Sequence, residues 1–398
     1  MNDSRRLLVF VLLCVAALAG IWFFSSARSK TSAAAKPTDT AAASDQPLSA
    51  PVPAPADASK AAQGSGTSPV MPSNRTPAAL LSAIEATLAD LRSGDPQKMK
   101  AALDRLDALL SGDGHDAAAS IAAIMEFLKS GKDAPTGEEF VVGESGMLDS
   151  ANSLRVNLLD HLGTLCRETG SKEALNVARD VLSKFGSADE WAVCLRNTAW
   201  LDPKSTSTLH GKLEQMLDHK PWQEKPSTGM LEAFDVAAYS GAVQLIPRLS
   251  NFLSQGEQSP LWRASTVALD QLATTHPGEV LEWLARNPTM MNEHPYQRAD
   301  LIAKGDLNNP AQRRAIESIL ARRDLSVEER GKILAGLVTP GNFVSNNLLT
   351  TPPKFTPESE GQRLALVNRV GVEWRDSGKF PDLVPLVNDL ITRSTPPK

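Results

Sequence analysis

Cysteine is scarce: there are three in 398 residues, one of them inside the apolar N-terminal run, with no CxxC pair and no Cys/His grouping at ligand spacing. That excludes a disulfide framework and the sequence forms of a structural zinc site. The six histidines include no HExxH or comparable pair, so neither a metal nor any other cofactor is expected. An excess of positive charge is missing too, the formal charge being −5 and the pI near 5.8. Phosphate backbones are held by dense cations, so nucleic acid is not expected as a partner. Sustained strand alternation is absent, which leaves no sheet for a nucleophile elbow. The nearest approach to that motif, Gly143-Glu144-Ser145-Gly146, has Met147 where the second glycine belongs and reads as a loop between helices.

One long apolar run is present, uncharged over residues 7–24 behind Arg5 and Arg6. At about 1.5 Å per residue it is about 27 Å long, enough to span a hydrocarbon core. A retained transmembrane signal-anchor within residues 1–30 is the expected reading, because a cleaved signal carries a shorter apolar region of roughly 7–15 residues. The alternative is cleavage near Ala27, giving a secreted or periplasmic protein. Both readings place the rest of the chain on the extracytoplasmic side. Residues 31–76 are rich in Ala, Pro, Ser and Thr and poor in large apolar side chains, so nothing there offsets the entropy of ordering. They read as a disordered linker, stiffened towards polyproline II at Pro51, Pro53 and Pro55.

From residue 77 to residue 398 the pattern is helical. Thr76 followed by Pro77 is an N-cap with proline at the first helical position, and Leu81, Ile84, Leu88 and Leu91 form the first apolar stripe. Stripes recur at 3.6-residue spacing to the C-terminus. The clearest has Leu261, Ala264, Ser265, Ala268, Leu269 and Leu272 on one side of a helix, with Leu231, Phe234, Ala237, Ala238 and Gly241 on an earlier one. Ser187 and Glu190 form a capping box before Trp191, Cys194 and Leu195. Phe185 falls on the buried stripe of the preceding helix. Loops are expected at residues 131–148 and 339–356. The sum is about sixteen helices in about eight hairpins of roughly 40 residues, each too short to stand without neighbours.

A period near 40 with two helices per unit lies in the range of HEAT and armadillo repeats. Ile246-Pro247-Arg248-Leu249 and Val384-Pro385-Leu386-Val387, each after a Ser-Gly pair, resemble the first-helix proline motif of the HEAT family. Leu154-Arg155 with Leu158, Leu162, Gly163 and Leu165 resembles its second-helix pattern. The resemblance covers residues 154–187, 227–288 and the last two helices, and implies an all-α fold: an α-α superhelix, or HEAT-like α-solenoid. Trp262 stands where the family has arginine and Arg263 follows one place late, so a regular Asp/Arg ladder is not implied.

Stacked hairpins make an extended curved surface whose usual use is to hold another protein. The function expected is therefore a membrane-tethered, noncatalytic scaffold that binds a protein or peptide in its groove. Trp191, Trp200, Trp222 and Trp262, with Arg263, are the candidate anchors if exposed on that surface; core packing is their other explanation. Some HEAT-like arrays are DNA glycosylases with an aromatic and acidic cleft, which four tryptophans would suit, but the acidic balance and membrane segment argue against it. The remaining alternative is an enzyme or envelope-ligand-binding protein whose site is assembled across repeats. Cys166 and Cys194, two helices apart on apolar faces, allow either a disulfide or two free core thiols.

Overall fold

Proline and small polar residues decide where the helices start. A computed structural model describes residues 76–111, 115–339, 348–350 and 357–395. The membrane segment expected at residues 7–24, and the linker up to residue 75, lie outside the described residues. Among the described residues no helix is long and apolar enough to cross a membrane. The described residues begin with α1 (Pro77–Arg92), α2 (Pro96–Ser111) and α3 (Ala117–Lys129), followed by a hairpin of β1 (Val141–Val142) and β2 (Leu148–Ser150). Next come α4 (Leu154–Thr169), α5 (Glu173–Val181), α6 (Ala188–Leu201), α7 (Thr206–Asp218) and the short α8 (Lys220–Glu224), α9 (Thr228–Glu232) and α10 (Asp235–Tyr239). The last part holds α11 (Ile246–Leu253), α12 (Pro260–Thr275), α13 (Pro277–Arg286), α14 (Pro295–Ala303), α15 (Pro310–Leu320), α16 (Val327–Val338), α17 (Pro357–Asp376) and α18 (Val384–Ser394). The protein is all-α apart from that one hairpin among the described residues.

Side chains of Thr76, Asp116, Ser153, Ser187, Ser227, Asn309 and Ser326 accept backbone N–H groups at their helix starts, satisfying donors that have no partner within the helix. The Ser187 cap is as the sequence implies, but the Glu190 carboxylate does not complete a box. It turns to Arg155 on α4 instead, taking two hydrogen bonds at 2.8 and 3.1 Å.

The helices pack in a regular succession. In the order α1, α3, α4, α6, α9 with α10, α12, α14, α16 and α18, each lies beside the next. The helices between them in sequence pack on this row: α2 on α1, α5 on α6, α11 on α12 and α17 on α18. The apolar stripes face inward and join in one hydrophobic core. Charged groups also bridge the row. Besides Arg155 and Glu190, Asp189 on α6 accepts from the Gly229 N–H of α9, Lys304 pairs with Asp270, Arg298 with Glu329, and Arg330 with Asp382.

Three expectations need correcting. The helix expected over Leu231 to Gly241 is two five-residue helices, because Phe234, Val236 and Ala237 donate to carbonyls three residues back and tighten the chain into a turn. Phe185 lies beyond α5 and is exposed, although its ring stacks on Trp191. The expected loop at residues 131–148 contains most of the β1–β2 hairpin, with Ser145 at positive φ (61°) in its turn.

Candidate functional site

The central helices leave a pocket of about 290 Å³ on the edge of the stripe that Leu261, Ala268, Leu269 and Leu272 bury. Its wall on α12 is Pro260, Arg263, Ala264, Val267, Ala268 and Gln271, spaced so that one helix face presents all of them. Leu231 and Glu232 come from α9, and Phe234 and Asp235 from the turn into α10. The break between α9 and α10 lets both short helices contribute to one wall.

The polar groups of this pocket differ in how they are satisfied. Asp235 is buried, and its carboxylate accepts the N–H groups of Leu349 and Thr350 at 2.7 and 2.9 Å and the Thr350 hydroxyl. Burial pushes its pKa up, and those hydrogen bonds pull it back down in part. It therefore acts as a clamp for a segment more than a hundred residues away. Glu232 has no hydrogen-bond or ion-pair partner among the described residues. Burial, and then the neighbouring Asp235 charge, push its pKa up to about 7. Gln271 is 7% exposed, and neither its carboxamide oxygen nor its nitrogen has a hydrogen-bond partner among the described residues. Such a group costs about 1–3 kcal/mol to leave unsatisfied. Arg263 is exposed, its Nε donating to the Glu257 carbonyl at 3.4 Å.

Of the residues singled out in the sequence, only Arg263 lines this pocket. Trp191 is fully buried and donates its indole N–H to the Lys184 carbonyl at 2.7 Å. It packs edge-on to Trp222 at 5.4 Å, in a cluster with Phe185 and His219. Trp200 meets two guanidinium groups over its ring, Arg196 at 4.2 Å and Arg167 at 4.7 Å. Trp262 is half-buried against the core beside Arg263. The four tryptophans thus do not form one cleft. Cys166 and Cys194 are buried free thiols, and burial drives the Cys194 thiol well above its ordinary pKa.

Sequence reasoning missed Glu232, Asp235 and Gln271. Their signal was present, since each is a polar residue set into an apolar stripe: Asp235 between Phe234 and Val236, and Gln271 between Leu269 and Leu272. A second cavity of about 220 Å³ is lined by Asp104, Asp107, Glu138 and Asp149 with Lys100, and Asp107 also meets His161 at 2.9 Å. Among the described residues no group of three His, Cys, Asp or Glu is placed to hold a metal ion. Compared with known protein families, curated proteins and solved structures, the chain matches none.

Proposed function

We propose that the protein is a noncatalytic binding scaffold: a HEAT-like α-solenoid over residues 77–398, tethered through residues 1–30 and 31–76 to a membrane, whose partner is a protein or peptide. The single observation that carries this reading is the pocket between α9, α10 and α12, whose mostly apolar wall includes the polar side chains of Glu232 and Arg263. Pockets of this kind, mostly apolar with a few convergent polar groups, are the usual form of a binding site. The side-by-side succession of alternate helices supports the solenoid, and the apolar run at residues 7–24 supports an anchor that leaves the helical region on the extracytoplasmic side.

One observation favours the enzymatic alternative, namely that two carboxyl groups, Glu232 and Asp235, reach the same pocket. The Asp235 oxygens are occupied by Leu349 and Thr350, however, and among the described residues the wall carries no histidine, cysteine or serine to complete acid–base or nucleophilic chemistry. Binding is the better use of such a wall.

A photo-crosslinking side chain placed at Arg263, with a control at Arg286 on α13, tests the proposal in intact cells. A discrete protein adduct from Arg263 and not from Arg286 is the expected result. The same adducts from both positions, or none from Arg263, would refute it.

A further inference from the structure

Residues 348–350 come late in the chain but are seated on its middle. Arg363 on α17 donates to the Leu337 and Val338 carbonyls at 2.6 and 2.7 Å, so α17 resumes close to where α16 ended. Leu349 and Thr350 nevertheless meet Asp235 on α10, three places away along the row α10, α12, α14, α16. Leu348 is fully buried and reaches the turn of the β1–β2 hairpin. There the missing side chain of Gly146 makes room for its main chain: a Cβ on Gly146 would stand 2.0 Å from the Leu348 carbonyl oxygen and 3.4 Å from the Trp200 ring.

The seat is held in place by contacts in which residues 348–350 take no part. Arg196 donates to the Gly146 carbonyl at 2.7 Å and is itself fixed by Asp160 and Asn197, while Trp200 is packed against Arg196 and Arg167. Asp235 differs, because it depends on the occupant. It is 4% exposed, and among the described residues its carboxylate has no hydrogen-bond donors besides Leu349 and Thr350. What the seat uses is simple: one aliphatic side chain, two successive main-chain N–H groups and a hydroxyl. Any short peptide with an aliphatic residue two places before serine or threonine carries the same groups.

We propose that residues 348–350 are an internal ligand: an autoinhibitory strap on a peptide-binding surface formed by Gly146, Trp200 and Asp235, displaced by a partner peptide that carries the same pattern. This deepens the scaffold reading and rests on it. A buried carboxylate stripped of its donors is costly, so an incoming peptide replaces the strap most readily when it supplies N–H and hydroxyl groups of its own. Asp235 also lines the pocket that holds Glu232 and Arg263, so the strap and that pocket share a wall.

Two measurements on the full-length protein test this. On the unaltered chain, hydrogen exchange followed by mass spectrometry reads the fragment that contains Leu349 and Thr350. A strap opens without unfolding the helices, so these amides should exchange about a hundredfold faster than those of α6. The second measurement is the fluorescence anisotropy of a labelled peptide with the sequence of residues 346–351. Leu348→Asp puts a charge on the strap and leaves the seat untouched, so the peptide should bind that protein about tenfold more tightly than the unaltered one, whose seat is already filled. The same change within the peptide should abolish its binding.

Exchange of Leu349 and Thr350 only on global unfolding would overturn the proposal, as would equal or absent peptide binding in a folded Leu348→Asp protein. Failure of Leu348→Asp to fold would overturn it as well, by showing the segment to be part of the core rather than a ligand. Crosslinking at Arg263 separates the two readings. More partner captured in Leu348→Asp supports the strap, whereas a discrete partner captured in unchanged amount leaves the scaffold standing and removes the strap.

Discussion

Gly163 is the position where a single methyl group should do most damage. It lies on α4 facing α6, and a Cβ there would stand 2.0 Å from Oδ1 of Asn197, 2.4 Å from its Cγ and 2.6 Å from its Nδ2. Asn197 has nowhere to go. It is 1% exposed, its Nδ2 donates to the Leu159 carbonyl at 2.9 Å, and its Oδ1 accepts from Arg196 at 2.9 and 3.2 Å. Arg196 is in turn fully buried, donating to Asp160 and to the Gly146 carbonyl at 2.7 Å. Gly163→Ala must therefore both strain the packing of α4 on α6 and push the Asn197 carboxamide out of this network. Overpacking costs about 1–3 kcal/mol, and a buried group left unpaired costs about 1–3 kcal/mol more. The better helix propensity of alanine returns about 1 kcal/mol, so the net loss should be about 3 kcal/mol. Guanidinium unfolding followed by the fluorescence of Trp191 and Trp200, both on α6, measures it. Asn197→Ala removes the obstacle, so in that background the same substitution should cost under about 1 kcal/mol, a coupling of about 2 kcal/mol. Additive costs, or a Gly163→Ala variant as stable as the parent, would show that the close approach of the two helices is not what constrains this position.

Two further outcomes are expected. Glu329→Met leaves the Arg298 guanidinium without its carboxylate in a pair whose side chains are each 6% exposed, and should cost about 3–5 kcal/mol in chemical denaturation; a loss below about 1 kcal/mol would mean the pair is not holding α14 to α16. Glu232, beside Asp235 and Arg263, has a carboxyl raised from its ordinary 4.5 to about 7, so the folded chain holds that proton more tightly than the unfolded one. Its stabilising contribution is thus complete below about 4.5 and is lost as pH rises to about 7. Glu232→Gln should therefore flatten the fall in stability over that range, and a fall of unchanged steepness would refute the assignment.

Much of the fold was legible in the chain because its causes are local. Thr76 with Pro77, and Ser187 with the helix after it, mark helix starts within three or four residues, and the stripe from Leu261 to Leu272 depends only on the 3.6-residue period. Local signals failed where a distant partner competed. Glu190 has the spacing of a capping box, yet its carboxylate is taken by Arg155, 35 residues away. Phe185 continues an apolar pattern, but its helix has already ended and its ring is held instead by Trp191 and His219.

The candidate site divides along the same line. Arg263 drew attention by sequence because it stands one place out of a familiar pattern, and the tryptophans did so by their size alone. Whether a tryptophan anchors a partner or fills a core depends on what covers it, and Trp191 is covered completely. Residue pattern alone was enough for a mostly helical region from residue 77, the buried side of its clearest helices and several helix starts, since backbone hydrogen bonding and side-chain periodicity act over a few residues. The packing of remote segments is what ties Asp235 to Leu349 and Thr350 while leaving Glu232 and Gln271 without hydrogen-bond partners among the described residues, because the satisfaction of a buried polar group depends on which distant groups the fold brings within about 3 Å of it.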